Sequence, residues 1–98
     1  MRIRWTAPAA TDLEEIHAYL KEYNPQLAQR TVLFLYDGIR SLKKMPNRGR
    51  IGLRNGTREL IMHPLPYLVV YRVKDDSVEI LHIVHGRRDT EAPPRQEF

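Results

Sequence analysis

The chain has 98 residues and no cysteine, so it can form neither disulfide bonds nor thiolate metal sites, and its length suits a single domain with one modest core. Because no apolar run approaches the roughly 18 residues that cross a bilayer, and no signal peptide is recognisable, we expect a cytoplasmic protein with no membrane contact. A formal net charge of +4 and a pI near 9.7 favour an acidic partner, either nucleic acid or an acidic protein.

The N-terminal part predicts a short strand followed by a helix. Residues 2–6 alternate polar and apolar side chains, as a half-buried strand does. A helix is then predicted from Pro8 to Tyr23, because Leu13, Ile16 and Leu20 recur at helical spacing and form one apolar stripe.

A second helix is predicted directly after the first. Asn24 can cap free N–H groups, and Pro25 fits the first helical position. Apolar residues continue at alternating spacings of four and three, which predicts a helix to about Lys44 that packs lengthwise on a neighbour; they are Ala28, Val32, Leu35, Ile39 and Leu42. Met45 and Pro46 end this helix.

The C-terminal half predicts a turn-rich loop and three strands. The loop covers residues 46–52, and the strands are Thr57–His63, Tyr67–Lys74 and Val78–His85. Residues 64–66 break the first strand from the second, and residues 75–77 form a tight hairpin. The predicted fold is α+β with the order β-α-α-β-β-β, in which a helical hairpin packs on one face of a small sheet ending in an antiparallel meander. We assign residues 1–89 to this domain and expect residues 90–98 to form a mobile polar tail.

The basic residues are unevenly distributed. Seven cations without an acid occur in residues 40–58: Arg40, Lys43, Lys44, Arg48, Arg50, Arg54 and Arg58. Arg87 and Arg88 form a second cluster. A solvated surface explains any single cation, whereas for the whole run a binding face and a solvated surface are equally supported.

Several ordered motifs resemble one known family. They are Trp5-Thr6 with Ala9, Asp12, Leu13 and Ile16; Pro46-Asn47-Arg48-Gly49-Arg50; Thr57-Arg58-Glu59-Leu60; the strand Tyr67–Val73; and the close from Val78 to Arg88. Together they cover nearly the whole chain and resemble toxins of the RelE/ParE superfamily, on its ParE-like side. The resemblance implies the toxin of a growth-inhibiting, plasmid-stabilising type II toxin–antitoxin module. Its partner would be a cognate antitoxin of the DNA-binding ribbon-helix-helix kind.

The superfamily contains two activities, and the residues favour one of them. RelE-like members cut messenger RNA on the ribosome with lysines and arginines on the middle strands and a tyrosine near the C-terminus. At the aligned positions this chain has Glu59 and Ile61 instead of lysines, Leu68 instead of arginine, and no tyrosine around Pro93; only Arg87 matches. A carboxylate at residue 59 would repel a phosphate. We therefore expect a ParE-like protein that inhibits DNA gyrase by binding, with a RelE-like nuclease or a weakly toxic antitoxin-binding protein as the alternatives.

The ParE-like interpretation implies two binding surfaces and no catalytic set. For the target we name Arg58, Arg72, Arg87 and Arg88, on the sheet face and its C-terminal edge. Arg58 and Arg72 could instead pair with Glu59 and Glu79. For the antitoxin we name Tyr19, Tyr23, Phe34, Arg48, Arg50 and Arg54, because a groove beside the helices suits an amphipathic helix and the cations suit an acidic segment. The three aromatic side chains could alternatively belong to the core.

The histidines have both a structural and a catalytic interpretation. His82 lies in an apolar strand, so we expect its ring to be packed with one nitrogen bonded. If the protein is a nuclease, the fallback catalytic residues are His85, Arg87 and Arg88. His63 is a weaker candidate. We expect no cofactor and no metal, since the histidines lack metal-ligand spacing.

Overall fold

A computed structural model of the chain describes residues 1–85, and it contains two helices and five strands within that range. They are β1 (Arg2–Trp5), α1 (Ala7–Tyr23), α2 (Pro25–Ser41), β2 (Arg50–Ile51), β3 (Arg58–Ile61), β4 (Tyr67–Lys74) and β5 (Ser77–His85). The predicted domain boundary at residue 89, the tail at 90–98, and the predictions made for Arg87, Arg88 and Pro93 lie outside the described residues.

Side-chain caps fix both helix starts. The Thr6 hydroxyl accepts the Ala9 N–H at 3.4 Å and donates to the Ile80 carbonyl at 2.7 Å, which ties the start of α1 to β5. The Asn24 carboxamide oxygen accepts two N–H groups of α2, each at 3.1 Å. Its backbone N–H donates to the Leu20 carbonyl. Asn24 therefore ends α1 and begins α2, and its predicted capping role is confirmed.

Helix α2 ends three residues earlier than predicted. After Ser41, the backbone N–H groups of residues 42–44 bond to the carbonyls three residues before them, which tightens the last turn. Leu42 nevertheless points into the core and is fully buried, as the apolar seam predicted.

The sheet has the strand order β1-β5-β4-β3-β2. Strand β1 pairs with β5 in parallel, and all other neighbours are antiparallel. The predicted helical hairpin on a sheet with a C-terminal antiparallel meander is confirmed. The two-residue strand β2, in the segment predicted as a loop, extends that meander by one strand.

Alternate strand residues divide between two sheet faces. One face packs against the helices and forms a core with Leu13, Leu35 and Ile39; from the strands it includes Leu60, Met62, Val69, Tyr71, Val78, Ile80 and Ile83. The intervening residues lie on the opposite surface, which we call the open face. It carries Arg2, Arg4, Arg50, Glu59, Ile61, Leu68, Val70, Arg72, Lys74, Ser77 and Glu79. Four of these side chains are themselves buried: Glu59, Leu68, Val70 and Glu79.

Candidate functional site

Two arginines on the open face bind one buried carboxylate. The pairing register places Glu79 of β5 between Arg4 of β1 and Arg72 of β4. Arg72 donates from Nε to Oε1 of Glu79 at 2.6 Å, and Arg4 donates to Oε2. The Glu79 side chain is 5% exposed, whereas those of Arg4 and Arg72 are 65% and 45% exposed. The hydrogen bond from Arg72 holds the pKa of Glu79 below its ordinary value, although burial acts in the opposite direction.

A second buried carboxylate lies in the neighbouring row of the same face. Glu59 of β3 is 2% exposed and accepts hydrogen bonds from Arg50 of β2, with Nη2 at 2.9 Å and Nε at 3.0 Å from Oε1. The expected pairing of Arg72 with Glu79 is thus present, while the arginine seen on Glu59 is Arg50.

Arg58 has a different environment from Arg72. It lies opposite Tyr71 in the β3–β4 ladder, so the two arginines are on opposite faces of the sheet. Its Nη1 donates to the carbonyls of Gly49 at 2.7 Å and Asn47 at 3.3 Å. The structure therefore does not bring Arg58 and Arg72 together into one sheet-face site.

The loop before β2 is held against the sheet by Tyr71. Its buried hydroxyl accepts the Gly49 N–H at 2.9 Å and donates to the Pro46 carbonyl at 2.7 Å. A Cβ on Gly49 would lie 2.8 Å from the Tyr71 hydroxyl and 2.9 Å from the Glu59 carbonyl, so only glycine fits there. Burial raises the pKa of Tyr71, although the Gly49 hydrogen bond and the Arg58 charge oppose it. This contact fixes the loop that leads into Arg50.

The run of cations in residues 40–58 does not form one continuous surface. Arg50 lies on the open face and Arg58 beneath the loop, whereas Arg48 donates to the Ser41 hydroxyl at 2.6 Å. A groove of about 530 Å³ at the end of α2 is lined by Asp37, Arg40, Ser41, Lys43 and Lys44. Arg54 is exposed in the turn before β3. The predicted antitoxin-binding arginines thus occupy three different environments.

The three aromatic residues predicted for antitoxin binding are all exposed. Tyr19 and Tyr23 of α1 are 62% and 71% exposed, with ring centroids 5.1 Å apart, and Phe34 of α2 is 40% exposed. A hydrogen bond with Tyr23 raises the pKa of Tyr19. The alternative that these side chains belong to the core is therefore wrong.

His82 has the predicted bond to one ring nitrogen, from Asp12 of α1, but its side chain is 37% exposed and not packed in the core as predicted. Its Nδ1 lies 3.1 Å from Oδ2 of Asp12, and the same oxygen accepts the Ile83 N–H at 3.0 Å. Because β1 ends opposite Ile80, this N–H lies past the last β1 pair, and Asp12 satisfies it.

The other histidines form no evident catalytic arrangement with described residues. His85 packs edge-on against Tyr67 with a centroid distance of 5.8 Å, and its Nδ1 is buried without a hydrogen-bond partner among residues 1–85. His63 is exposed in a turn. The other two fallback nuclease residues, Arg87 and Arg88, lie beyond this range.

Neither a metal site nor a membrane span is found in the described part of the chain. No three histidine, aspartate or glutamate side chains in residues 1–85 are grouped so that they could hold a metal ion. Over the same residues, neither helix has the length and apolar character needed to cross a bilayer.

Sequence reasoning missed Arg4 as part of the site. The signal was the alternation of Arg2, Ile3, Arg4 and Trp5, which places both arginines on one face of β1. The partner strand could not be identified from that pattern, because β1 pairs with a strand about 75 residues later.

Comparisons with known proteins agree on a family. A family model described as the ParE toxin of the type II toxin–antitoxin system parDE matches residues 3–90. The Sinorhizobium fredii protein Y4kP is 39% identical over 87 residues, covering 89% of this chain and 90% of the relative. Toxin RelE2 of Caulobacter vibrioides is 38% identical over 87 residues, covering 89% of this chain and 97% of the relative.

Two solved structures have similar folds. A chain of the chromosomal ParDE system of P. aeruginosa superposes with a TM-score of 0.81 at 28% identity, covering 87% of this chain and 95% of that one. A copper-bound mutant toxin from Helicobacter pylori gives a TM-score of 0.60 at 19% identity over 90% of this chain and 97% of that one, a likeness of fold alone.

Proposed function

Since the chain belongs to the ParE toxin family of type II toxin–antitoxin systems, we propose that it inhibits DNA gyrase in the cytoplasm by binding, and that a cognate antitoxin neutralises it. In this mechanism the toxin occupies the enzyme and traps its complex with cleaved DNA, and the toxin itself makes and breaks no covalent bond. The observation that carries the proposal is the match to the parDE toxin model over residues 3–90.

The open face supports a binding role over a nuclease role. At the strand positions where the resemblance to RelE-like nucleases calls for lysine or arginine, Glu59 is buried and bound to Arg50, and Leu68 is 2% exposed. Leu68 has no group that could bind a phosphate or transfer a proton, and the Glu59 carboxylate would repel a scissile phosphate and is already bound to Arg50.

Purified toxin in a gyrase assay tests the proposal. Excess toxin is expected to reduce supercoiling and to accumulate cleaved DNA, and added cognate antitoxin is expected to reverse both effects. Arg72→Gln should weaken the inhibition, while Arg30→Gln, which removes an exposed cation from the helical side, is the matched control. Unchanged supercoiling and unchanged cleavage with wild-type toxin in excess would refute gyrase inhibition.

A ribosome-dependent nuclease is the second candidate, because a 38% identical relative carries the name Toxin RelE2. Under this alternative, toxin added to a translating extract would cut ribosome-bound messenger RNA, and Arg87→Ala would abolish the cutting. Intact messenger together with inhibited gyrase would exclude it. Survival of cells that overproduce the toxin without antitoxin would instead indicate a weakly toxic family member that mainly binds antitoxin.

We propose that the antitoxin, of ribbon-helix-helix type, uses the exposed tyrosine pair of α1 as an anchor. Tyr19 and Tyr23 present two adjacent rings that a partner helix can cover, and exposed aromatic side chains are frequent hot spots. We propose further that acidic antitoxin segments contact Arg48, Arg50 and Arg54 at their three separate positions.

Binding to the cognate antitoxin tests this surface. Tyr23→Ala is expected to weaken affinity by roughly tenfold or more, as burial of an anchor tyrosine requires. Arg30→Ala, on α2, should leave the affinity unchanged. Equal affinities of the Tyr23→Ala and wild-type toxins would place the antitoxin elsewhere.

A further inference from the structure

Four cations surround one buried carboxylate on the open face. In one row, Arg4, Glu79 and Arg72 lie side by side on β1, β5 and β4. In the next row toward the hairpin, Arg2, Ser77 and Lys74 occupy the same three strands. Strands are about 4.8 Å apart and residues on one face of a strand about 7 Å apart, so the Cα atoms of the four basic residues mark a rectangle of roughly 10 by 7 Å. Within it, the guanidinium groups of Arg4 and Arg72 converge on Glu79. Arg2 and Lys74 are both exposed.

Glu79 orients its arginines without covering them. Each guanidinium gives one N–H to the carboxylate, and each side chain remains about half exposed or more. A guanidinium has five N–H donors in a rigid plane, so donors remain for a second anion. A single carboxylate cannot neutralise both arginines. The hairpin residues Asp75 and Asp76 adjoin the row of Arg2 and Lys74, since the Arg2 N–H donates to the Asp76 carbonyl at 3.1 Å, and the row of Arg4 and Arg72 is one step further from these acids.

We infer that this rectangle, formed by Arg2, Arg4, Arg72 and Lys74, binds the phosphodiester backbone of DNA directly. A DNA strand presents one negative charge per roughly 3.4 Å along its axis, so more than one phosphate falls within the reach of the four cations. Arginine forms bidentate hydrogen bonds with phosphate oxygens, and backbone contacts of this kind carry no sequence preference.

Within the gyrase complex, this contact would let the toxin hold the cleaved DNA and the enzyme together. That extension rests on the proposed function, whereas binding of DNA by the free toxin does not. An acidic protein surface is the other anion that could occupy the rectangle. We favour DNA because the cations occupy two adjacent rows on three paired strands and the proposed target complex already contains DNA.

Salt-dependent binding of a short fluorescein-labelled DNA duplex, measured by anisotropy with purified toxin, tests the inference. Three phosphate contacts predict a logarithmic salt slope near −2.7, which corresponds to about a 40-fold loss of affinity between 50 and 200 mM salt. Arg72→Gln and Arg2→Gln should each reduce the slope by about 0.9 and weaken binding roughly fivefold to tenfold at 0.1 M salt. Arg2 does not contact Glu79 in the structure, so the Arg2→Gln variant tests binding without disturbing the buried carboxylate.

Arg30→Gln on α2 is the matched control, since it removes the same charge from the helical side. An unchanged slope for this control, with reduced slopes for the two open-face variants, supports the inference. Equal effects of all three substitutions would show diffuse attraction to net charge and overturn it. Failure to bind the duplex, with tight binding of polyglutamate, would overturn it in favour of an acidic protein partner.

The same preparation, assayed with gyrase, separates the two proposals. Trapped cleavage complexes without duplex binding would refute the DNA contact and leave the proposed function intact. Salt-dependent duplex binding with unaffected gyrase would refute the proposed function and leave the DNA contact intact.

Discussion

Removal of the Tyr71 hydroxyl should destabilise the fold, although a phenylalanine ring would fill the same space. The hydroxyl bonds two backbone groups of the loop before β2, at 2.9 Å to the Gly49 N–H and 2.7 Å to the Pro46 carbonyl. In Tyr71→Phe the buried Gly49 N–H loses its partner, which costs about 1–3 kcal/mol, and the partly buried carbonyl loses a further bond of about 1 kcal/mol. We therefore expect a loss of about 2–4 kcal/mol.

Urea unfolding of purified toxin, followed by far-ultraviolet circular dichroism, measures this loss. A loss of about 2–4 kcal/mol is a large part of the roughly 5–15 kcal/mol that stabilises a typical domain, and it should lower the Tm by roughly 8–32 °C. Tyr36→Phe is the matched control, because Tyr36 is 42% exposed and its ring contact with Trp5 does not need the hydroxyl. The control should lie within about 0.5 kcal/mol of wild type. If Tyr71→Phe unfolds at the same urea concentration as the control, the hydroxyl does not hold the loop and the reasoning fails.

The helix cap and two carboxylates give three more expectations. Asn24→Ala should lower the free energy of unfolding in urea by about 1 kcal/mol, because two N–H groups of α2 lose their acceptor. Asn24→Asp keeps an acceptor and should be as stable as wild type, so equal losses in the two variants would contradict the capping role. Asp12→Ala should lower the free energy of unfolding by about 1–3 kcal/mol and speed hydrogen exchange at the Ile83 amide, because that N–H loses its acceptor. Unchanged exchange at Ile83 would contradict the contact. Glu79 has a lowered pKa when folded, so its stabilising effect is present above its ordinary pKa near 4.5 and is lost as the pH falls through the folded value. Glu79→Gln should therefore be less stable than wild type at pH 7, with a difference that shrinks in unfolding measured at acid pH; a constant difference would contradict the assignment.

Local patterns predicted most of the fold correctly. Asn24 and Pro25 predicted the boundary between the helices, because an asparagine side chain caps the helix that follows it and proline fits that helix's first position. The hairpin at Asp75 was predicted from residue type, and the structure gives Asp75 a φ of 58°, a conformation that aspartate tolerates better than most residues. The bond to one nitrogen of His82 was also predicted correctly, because a polar ring in an apolar strand needs a partner, although the ring is more exposed than predicted.

Contacts that depend on strand pairing could not be predicted. Arg4 reaches Glu79 only because β1 adds in parallel to β5, and neither strand carries a local signal for that register. The face occupied by Arg58 depends on its pairing opposite Tyr71, and a shift of one residue would have moved it to the open face. The short strand β2 likewise depends on pairing with β3, and contacts from Tyr71, Glu59 and Arg58 hold the segment there.

The count of cations in residues 40–58 overstates the charge available to a partner. Arg58 donates from Nη1 to two loop carbonyls on the helical side of the sheet, and Arg50 is bound to a buried carboxylate. The open face is basic for another reason, namely that two arginines share the single carboxylate of Glu79. A surface built in this way keeps an excess positive charge while its guanidinium groups stay fixed in place. The excess of arginines over buried carboxylates on one sheet face, on which the proposed DNA contact rests, is visible only once the strand register is known.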